Sequence, residues 1–318
     1  MIFWDPSAAS EALPLIATPV GADTSTASLT GWVEASKSEW QPRLLRHGAL
    51  LFRGFDFQEP EEFEVFAKAF SPDLLRYTGG ASPRKIVRGT VYNSTEASKN
   101  LTINQHHEGA YLPKMPAMIS FFCVQPATTG GRTPLTSARK VTARLPKDLI
   151  ARFSEKGVLY VNRLHGGIGL GRSWQAQFET TDKAAAEAVL RDKGYEFEWR
   201  ADGGLTTRVR TNAIRQHPQT GERLWIGQAD HWHPSGLEPA TRALMRSRMP
   251  ETEFPFNSFY GDGSALDEND LELIREAIKA ELTAFAWQRG DVLVCDNLLV
   301  SHGREPFEGD RRVLVALS

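Results

Sequence analysis

Apolar residues recur along this chain in two rhythms. Residues 36–46 and 60–69 carry them at spacings of three and four, which predicts two helices; Phe63, Phe66 and Phe70 share a face of the second. Pro60 suits a first helical position. Residues 49–52 form a short continuous apolar run closed by Gly54, and residues 118–124 (MISFFCV) form a longer run between prolines. Both predict buried strands. Farther on, Asp182 can cap a helix over 183–193, and YEFEW at 195–199 alternates like a strand. Residues 241–248 and 267–280 predict helices, the latter with Leu271, Ile274 and Ile278 on one face. Two apolar strand runs, 291–295 and 312–317, close the chain. Strand signals thus lie at both ends, with a mixed helix-and-loop stretch between them. This order predicts one β-rich unit over 1–318 with an insertion at about 140–285.

Composition narrows the class of protein. The 318 residues are 41% hydrophobic, enough for a sizeable core, and 37 Lys+Arg against 39 Asp+Glu leave a net charge of −2. That balance gives no global pull toward nucleic acid or anionic membranes. An aromatic content of 10% argues against disorder. Cys123 and Cys295 both sit in apolar runs, so no disulfide framework is expected. The start MIFWDPSAAS lacks the basic and apolar regions of a signal peptide, and no stretch is long enough for a membrane span. The expectation is a cytoplasmic protein.

Among eight histidines, His106-His107-Glu108 in NQHHEGAY is the one that gives His-x-acid. On a strand, alternate residues share a side, so His106 and Glu108 can converge on one ion while His107 faces away. Imidazole plus carboxylate suits Fe(II), and a second histidine would complete a facial triad. The best third ligand is His302, which follows apolar strand runs broken at Asp296-Asn297, a plausible turn. Arg312 opens the last strand ten residues later, and a guanidinium fork is a natural clamp for a carboxylate.

These motifs make the sequence recognisable. It resembles the TauD/TfdA-type Fe(II)/2-oxoglutarate dioxygenases, and most closely the SyrP-like branch that shares His-x-Glu with clavaminate synthase-like enzymes. The resemblance is carried in order by LRHGALLFRGF near 50, VYNSTEAS at 91, QHHEGAY at 105, GGRTPL at 130 and SWQAQFETTD at 173. HPQTGERLW at 217 and GDVLVCDN through HGREPFEGDRRVLVA complete it. It implies a double-stranded β-helix (jelly roll) with flanking helices. It also implies Fe(II) held by His106, Glu108 and His302, and 2-oxoglutarate held by Thr133 and Arg312, with dioxygen as the oxidant. Arg312 is preferred over adjacent Arg311 because Arg312-Val313-Leu314 fits the family's Arg-x-apolar pattern. No second arginine follows four residues on, which makes a sulfonate substrate doubtful. Retention of Glu108 speaks against halogenation, because halogenases of this superfamily replace that carboxylate.

The branch implies hydroxylation of an amino acid or amino-acid-derived small molecule in specialised metabolism, free or tethered to a carrier protein. Desaturation or cyclisation could issue from the same chemistry, and a non-catalytic binding barrel is the reading from another class. Asn93, Tyr111 and the 163–174 loop are candidate substrate contacts. Two other motifs compete less well. His231-Trp232-His233 with Glu238 hints at a cupin, but Trp225 stands where the cupin spacing wants glycine. Gly167, Gly169 and Gly171 give G-x-G-x-G, not a dinucleotide fingerprint, so a nucleotide-dependent reductase is disfavoured.

Overall fold

A computed structural model describes residues 2–5, 12–76 and 84–318. At its centre two sheets pack together. The larger has eight strands in the order Ile2–Trp4, Leu15–Pro19, Ala49–Phe52, Val292–Asp296, Met118–Gln125, Arg312–Leu317, Val91–Asn93 and Ile86–Arg88. The smaller has four, ordered Thr283–Phe285, Thr133–Ser137, Val300–Arg304 and Ile103–His106. Pairing is antiparallel except where Leu15–Pro19 lies parallel to Ala49–Phe52.

The central strands read as unbroken apolar runs because both faces of the large sheet are buried. Alternate residues sort into two cores. Leu50, Phe52, Phe122, Val292, Val294 and Leu314 face outward, under Leu29 and Val33 of helix Thr26–Ala35 and Phe63, Phe66 and Phe70 of helix Pro60–Phe70. Leu51, Phe121, Cys123, Leu293, Val313 and Val315 face inward, against Leu135 and Val300 of the small sheet. Pro60 opens its helix behind a reciprocal Glu59/Glu62 capping box.

The chain leaves the small sheet at Ser137 and re-enters at Thr283, whose strand pairs with Thr133–Ser137. Between these points it is more than helix and loop. Helices Ala138–Arg144, Lys147–Lys156 and Glu268–Ala280 accompany another four-stranded sheet, ordered Glu196–Trp199, Leu205–Thr211, Val158–Leu164 and Phe256–Tyr260. Polar residues such as Asn162, Arg163, Thr206, Thr207 and Arg208 interrupt two of these strands, which hid them from a hydrophobicity pattern, whereas Glu196–Trp199 is the strand expected at YEFEW. Asp182 and Asp267 cap their helices as the sequence predicts. The helix expected at 241–248 instead runs Pro239–Arg246, because the Glu238 carboxylate accepts from the Thr241 N–H and Pro239 starts the turn. Among the described residues, no helix is long and apolar enough to cross a membrane.

Candidate active site

The small sheet brings His106 and His302 together as cross-strand partners, with ring centroids 4.4 Å apart. The Phe121 ring from the large sheet stands edge-on to His302 at 5.1 Å. The strand carrying His106 ends there, so Glu108 lies in the following turn. Its convergence with His106 therefore does not come from strand alternation. Asn297 supplies it instead. The Asn297 carboxamide oxygen accepts from the Glu108 N–H at 2.8 Å, and its nitrogen donates to Glu108 O at 2.9 Å and Pro116 O at 2.8 Å. Gly109 follows at φ +65°, a conformation that favours glycine and lets the chain turn away.

Ligand atoms of His106, Glu108 and His302 all lie within 4.8 Å of one another. Their surroundings suit a divalent metal. His106 Nδ1 is 2.9 Å from Asn104 O, which fixes the tautomer and leaves Nε2 for an ion. His302 Nδ1 is buried with no hydrogen-bond partner among the described residues. Burial, reinforced by His106, Arg84 and His107, depresses the His302 pKa well below its ordinary value. It is thus neutral near pH 7, the form that ligates a metal. Two imidazoles and one carboxylate form the set associated with Fe(II) and open coordination positions. The residues fit an iron ion.

Supporting groups surround the triad. Arg84 donates to Glu108 Oε2 at 2.7 Å, and both side chains are buried. His107 faces away as expected, with Nδ1 2.7 Å from Asn297 O, and burial lowers its pKa to about 4. Gln228 donates to His107 O at 2.6 Å. Asp296, beside Asn297, meets buried His217 at 3.0 Å and accepts from the N–H groups of Leu298 and Leu299. That gives His217 a bracing role. His233 turns to Ser235 while His231 lines the main cavity, so the two histidines of the cupin-like motif do not converge.

Two cavities share His106 and Arg84. The smaller, about 40 Å³, is lined by Thr133, His302, Arg304, Arg311 and Val313. Thr133 Oγ1 accepts from the Trp287 indole at 2.9 Å, and Arg311 donates to Gly131 O at 3.0 Å. Burial lowers the Arg311 pKa to about 10, which keeps it cationic near neutrality. Here the expectation for Arg312 is corrected. Arg312 is exposed, whereas Arg311 shares the cavity with Val313. Val313 faces the inner core and Leu314 the outer core, and at the strand's start, where the register against Met118–Gln125 shifts between Arg312 and Val313, Arg311 reaches the inner cavity while Arg312 stays exposed. Arg311-Arg312-Val313 satisfies the Arg-x-apolar pattern equally well.

The larger cavity, about 330 Å³, opens on the other side of the triad. Ile103, Tyr111, Leu164, Trp232 and Phe256 form apolar walls, and Asn162, Arg172, Gln177, Gln228 and His231 add polar groups. Tyr111 thus lies where a substrate contact was expected, with its ring 5.3 Å from Trp232. Asn93 does not line either cavity; its carboxamide donates to Glu96 at 3.0 Å. Of the 163–174 loop, Leu164, Gly171 and Arg172 reach the cavity. The roles of Arg84, Asn297, Gln228 and Asn162 had no signal in the sequence, because each acts on residues distant along the chain. Only the Asp296-Asn297 turn marked part of this set.

Known proteins resemble this chain along most of its length. The sequence model of the "Taurine catabolism dioxygenase TauD, TfdA family" matches residues 12–317. The dapdiamide synthesis protein DdaC of Enterobacter agglomerans is 36% identical over 275 residues, covering 86% of this chain and 83% of its own. A clavaminate synthase-like protein of Arabidopsis thaliana is 30% identical over 324 residues, covering 98% of this chain and 91% of its own. Among solved structures, PvcB of Pseudomonas aeruginosa superposes with a TM-score of 0.55 at 16% identity, covering 100% of this chain and 90% of its own. AAD-2, solved with Mn(II) and N-oxalylglycine, gives 0.56 at 12% identity, covering 100% and 96%. These last two likenesses concern the fold alone. With the sequence matches spanning nearly the whole chain, the protein belongs to the TauD/TfdA family of Fe(II)/2-oxoglutarate-dependent dioxygenases.

Proposed function

We propose that the protein hydroxylates a small amino-acid-derived molecule in specialised metabolism, with His106, Glu108 and His302 holding Fe(II). Arg311 and Thr133 bind the distal carboxylate of 2-oxoglutarate in the smaller cavity. The two packed sheets form a double-stranded β-helix, and residues 138–282 are an insertion within one catalytic unit. The observation that carries this reading is the placement of the triad between a narrow cavity that holds the half-buried Arg311 and a wider, largely apolar one.

When bound, iron and 2-oxoglutarate supply the oxidising power, by reductive activation of dioxygen coupled to loss of carbon dioxide from the cosubstrate. The chain's own residues set geometry and access. Asn297 fixes the Glu108 backbone, and Asn104 fixes the His106 ring. Tyr111, Leu164, Trp232 and Phe256 hold the substrate's apolar part and exclude water from the reacting centre. Hydroxylation is favoured over halogenation because Glu108 is present and directed at the site. DdaC is named for dapdiamide synthesis, and PvcB is described as an oxygenase from an isonitrile synthetic pathway, which supports a role in specialised metabolism. The substrate is a small molecule, free or carried on a carrier protein. The work is placed in the cytoplasm, in keeping with two free, buried cysteines.

Anaerobic titration with Fe(II) and then 2-oxoglutarate tests this reading. A weak visible charge-transfer band is expected in the wild type and absent in His106→Ala. A folded, iron-loaded wild type without the band would overturn it.

A further inference from the structure

One short turn presents two neutral polar groups to the main cavity. Gln228 precedes helix Ala229–Trp232, and His231 and Trp232 follow it at spacings of three and four, so the three share a face, and all three line the cavity. The turn is braced from behind. The Gln228 N–H donates to the Tyr160 hydroxyl at 2.8 Å, Ser258 Oγ donates to Ala229 O at 2.7 Å, and Arg275 donates to Asp230 O at 3.2 Å. It is also tied to the iron site, because Gln228 Nε2 donates at 2.6 Å to the carbonyl of His107, between His106 and Glu108.

That bond sets the orientation of the Gln228 carboxamide. With Nε2 committed to His107 O, Oε1 is left as an acceptor that no donor meets among the described residues. His231 keeps an exposed surface although protein surrounds it on most sides, so the space its ring faces is the cavity. Neither ring nitrogen has a hydrogen-bond partner among the described residues. Burial, with a smaller effect of His106, lowers its pKa to about 4, so near neutrality the ring is uncharged and offers one donor and one acceptor. The guanidiniums of the cavity are engaged elsewhere, Arg84 with Glu108 and Arg172 with Gln177 and Ala176 O.

An acceptor beside a ring that can donate complements a group presenting N–H and C=O together. A carboxylate would set a second acceptor against Gln228 Oε1 with no proton between them, and an ester has no N–H to give. We infer that Gln228 and His231 position the substrate by an amide, whose N–H donates to Gln228 Oε1 and whose C=O accepts from the His231 ring. The adjoining side chain then lies against Leu164, Trp232 and Phe256. This rests on the oxygenase reading and names a substrate class within it, an amide of an amino acid.

The test uses full-length protein saturated with Mn(II) and 2-oxoglutarate, which permits binding without turnover. The probes are paired N-methylamides and methyl esters of L-amino acids with apolar, polar and acidic side chains, alike in shape and differing by one N–H. They are titrated calorimetrically. The best methylamide is expected to bind at least about fivefold tighter than its ester, the scale of one buried hydrogen bond. Gln228→Leu should bring that ratio below about twofold, and Asn162→Leu, which alters another carboxamide lining the cavity, should leave it in place. His231→Phe should weaken the methylamide at least about fivefold with Mn(II) affinity unchanged, and His231→Gln, which restores a donor, should recover part of the loss. Methylamides that fail to bind or that their esters match, or a ratio that Asn162→Leu erases and Gln228→Leu keeps, would overturn the inference while the oxygenase reading stands. Failure of the wild type to bind Mn(II) and 2-oxoglutarate would overturn both.

Discussion

At the residue scale, the site depends on which of two neighbouring arginines faces inward. Arg311 is half-buried in the cavity beside Thr133 and His302, and Arg312 is in solvent. A charge-assisted hydrogen-bond pair to a carboxylate contributes about 1.5–3 kcal/mol, so Arg311→Gln should raise the KM for 2-oxoglutarate roughly tenfold to a hundredfold. Arg312→Gln should change it less than about twofold, and steady-state kinetics on the two variants would expose a reversed assignment. Asn297 is the second decisive residue. Its removal strands Glu108 N, Glu108 O and Pro116 O, all of which it satisfies. Each buried unsatisfied group costs about 1–3 kcal/mol. Asn297→Ala should therefore lower unfolding stability by at least about 3 kcal/mol and weaken iron binding. A denaturant melt showing less than about 1 kcal/mol would contradict this account.

At the element scale, the two metal-bearing strands must approach closely. Register shifts between His302 and Arg304, and a Cβ on Gly303 would lie 2.5 Å from Ile103 O. That obstacle is backbone, which has no room to swing aside. Gly303→Ala should push apart the strands that carry His302 and His106 and weaken Fe(II) affinity at least about tenfold, measured by anaerobic titration. Unchanged affinity would show that the small sheet does not fix the metal geometry. The elements themselves were legible to different degrees. Helices Lys37–His47 and Pro60–Phe70 and strand Met118–Gln125 match their sequence expectations within about a residue or two, because their periodicity and end signals agree. Of the sheet within residues 138–282, the strand Glu196–Trp199 was legible by its alternation, and the others were not, since they carry polar residues that only neighbouring elements explain.

At the scale of the whole molecule, burial of imidazoles gives the metal-free protein a pH dependence. Burial, aided slightly by neighbouring charge, lowers the pKa of His107 and of His231 to about 4 from an ordinary value of 6.5. The folded state therefore keeps both rings neutral where the unfolded chain takes up protons. Their contribution to stability is fully present above pH 6.5 and is lost as pH falls toward about 4. Thermal melts of metal-free protein should fall steadily across that window, by an amount equivalent to several kcal/mol in total. A flat melting temperature between those limits would show that the rings are hydrated.

The sequence by itself determined the family, the three metal-ligand candidates and the threonine beside them. Those signals are local motifs, and His-x-Glu, the distant histidine and GGRTP survive without knowledge of packing. Tertiary structure decided what local pattern leaves degenerate. It chose Arg311 over Arg312, because the side a strand residue faces depends on which sheet covers it. It recruited Asn297 and Arg84 to Glu108 across chain separations of 189 and 24 residues. It also gave His217 a partner in Asp296. Those outcomes follow from which groups share a buried volume, and a one-dimensional pattern does not specify that.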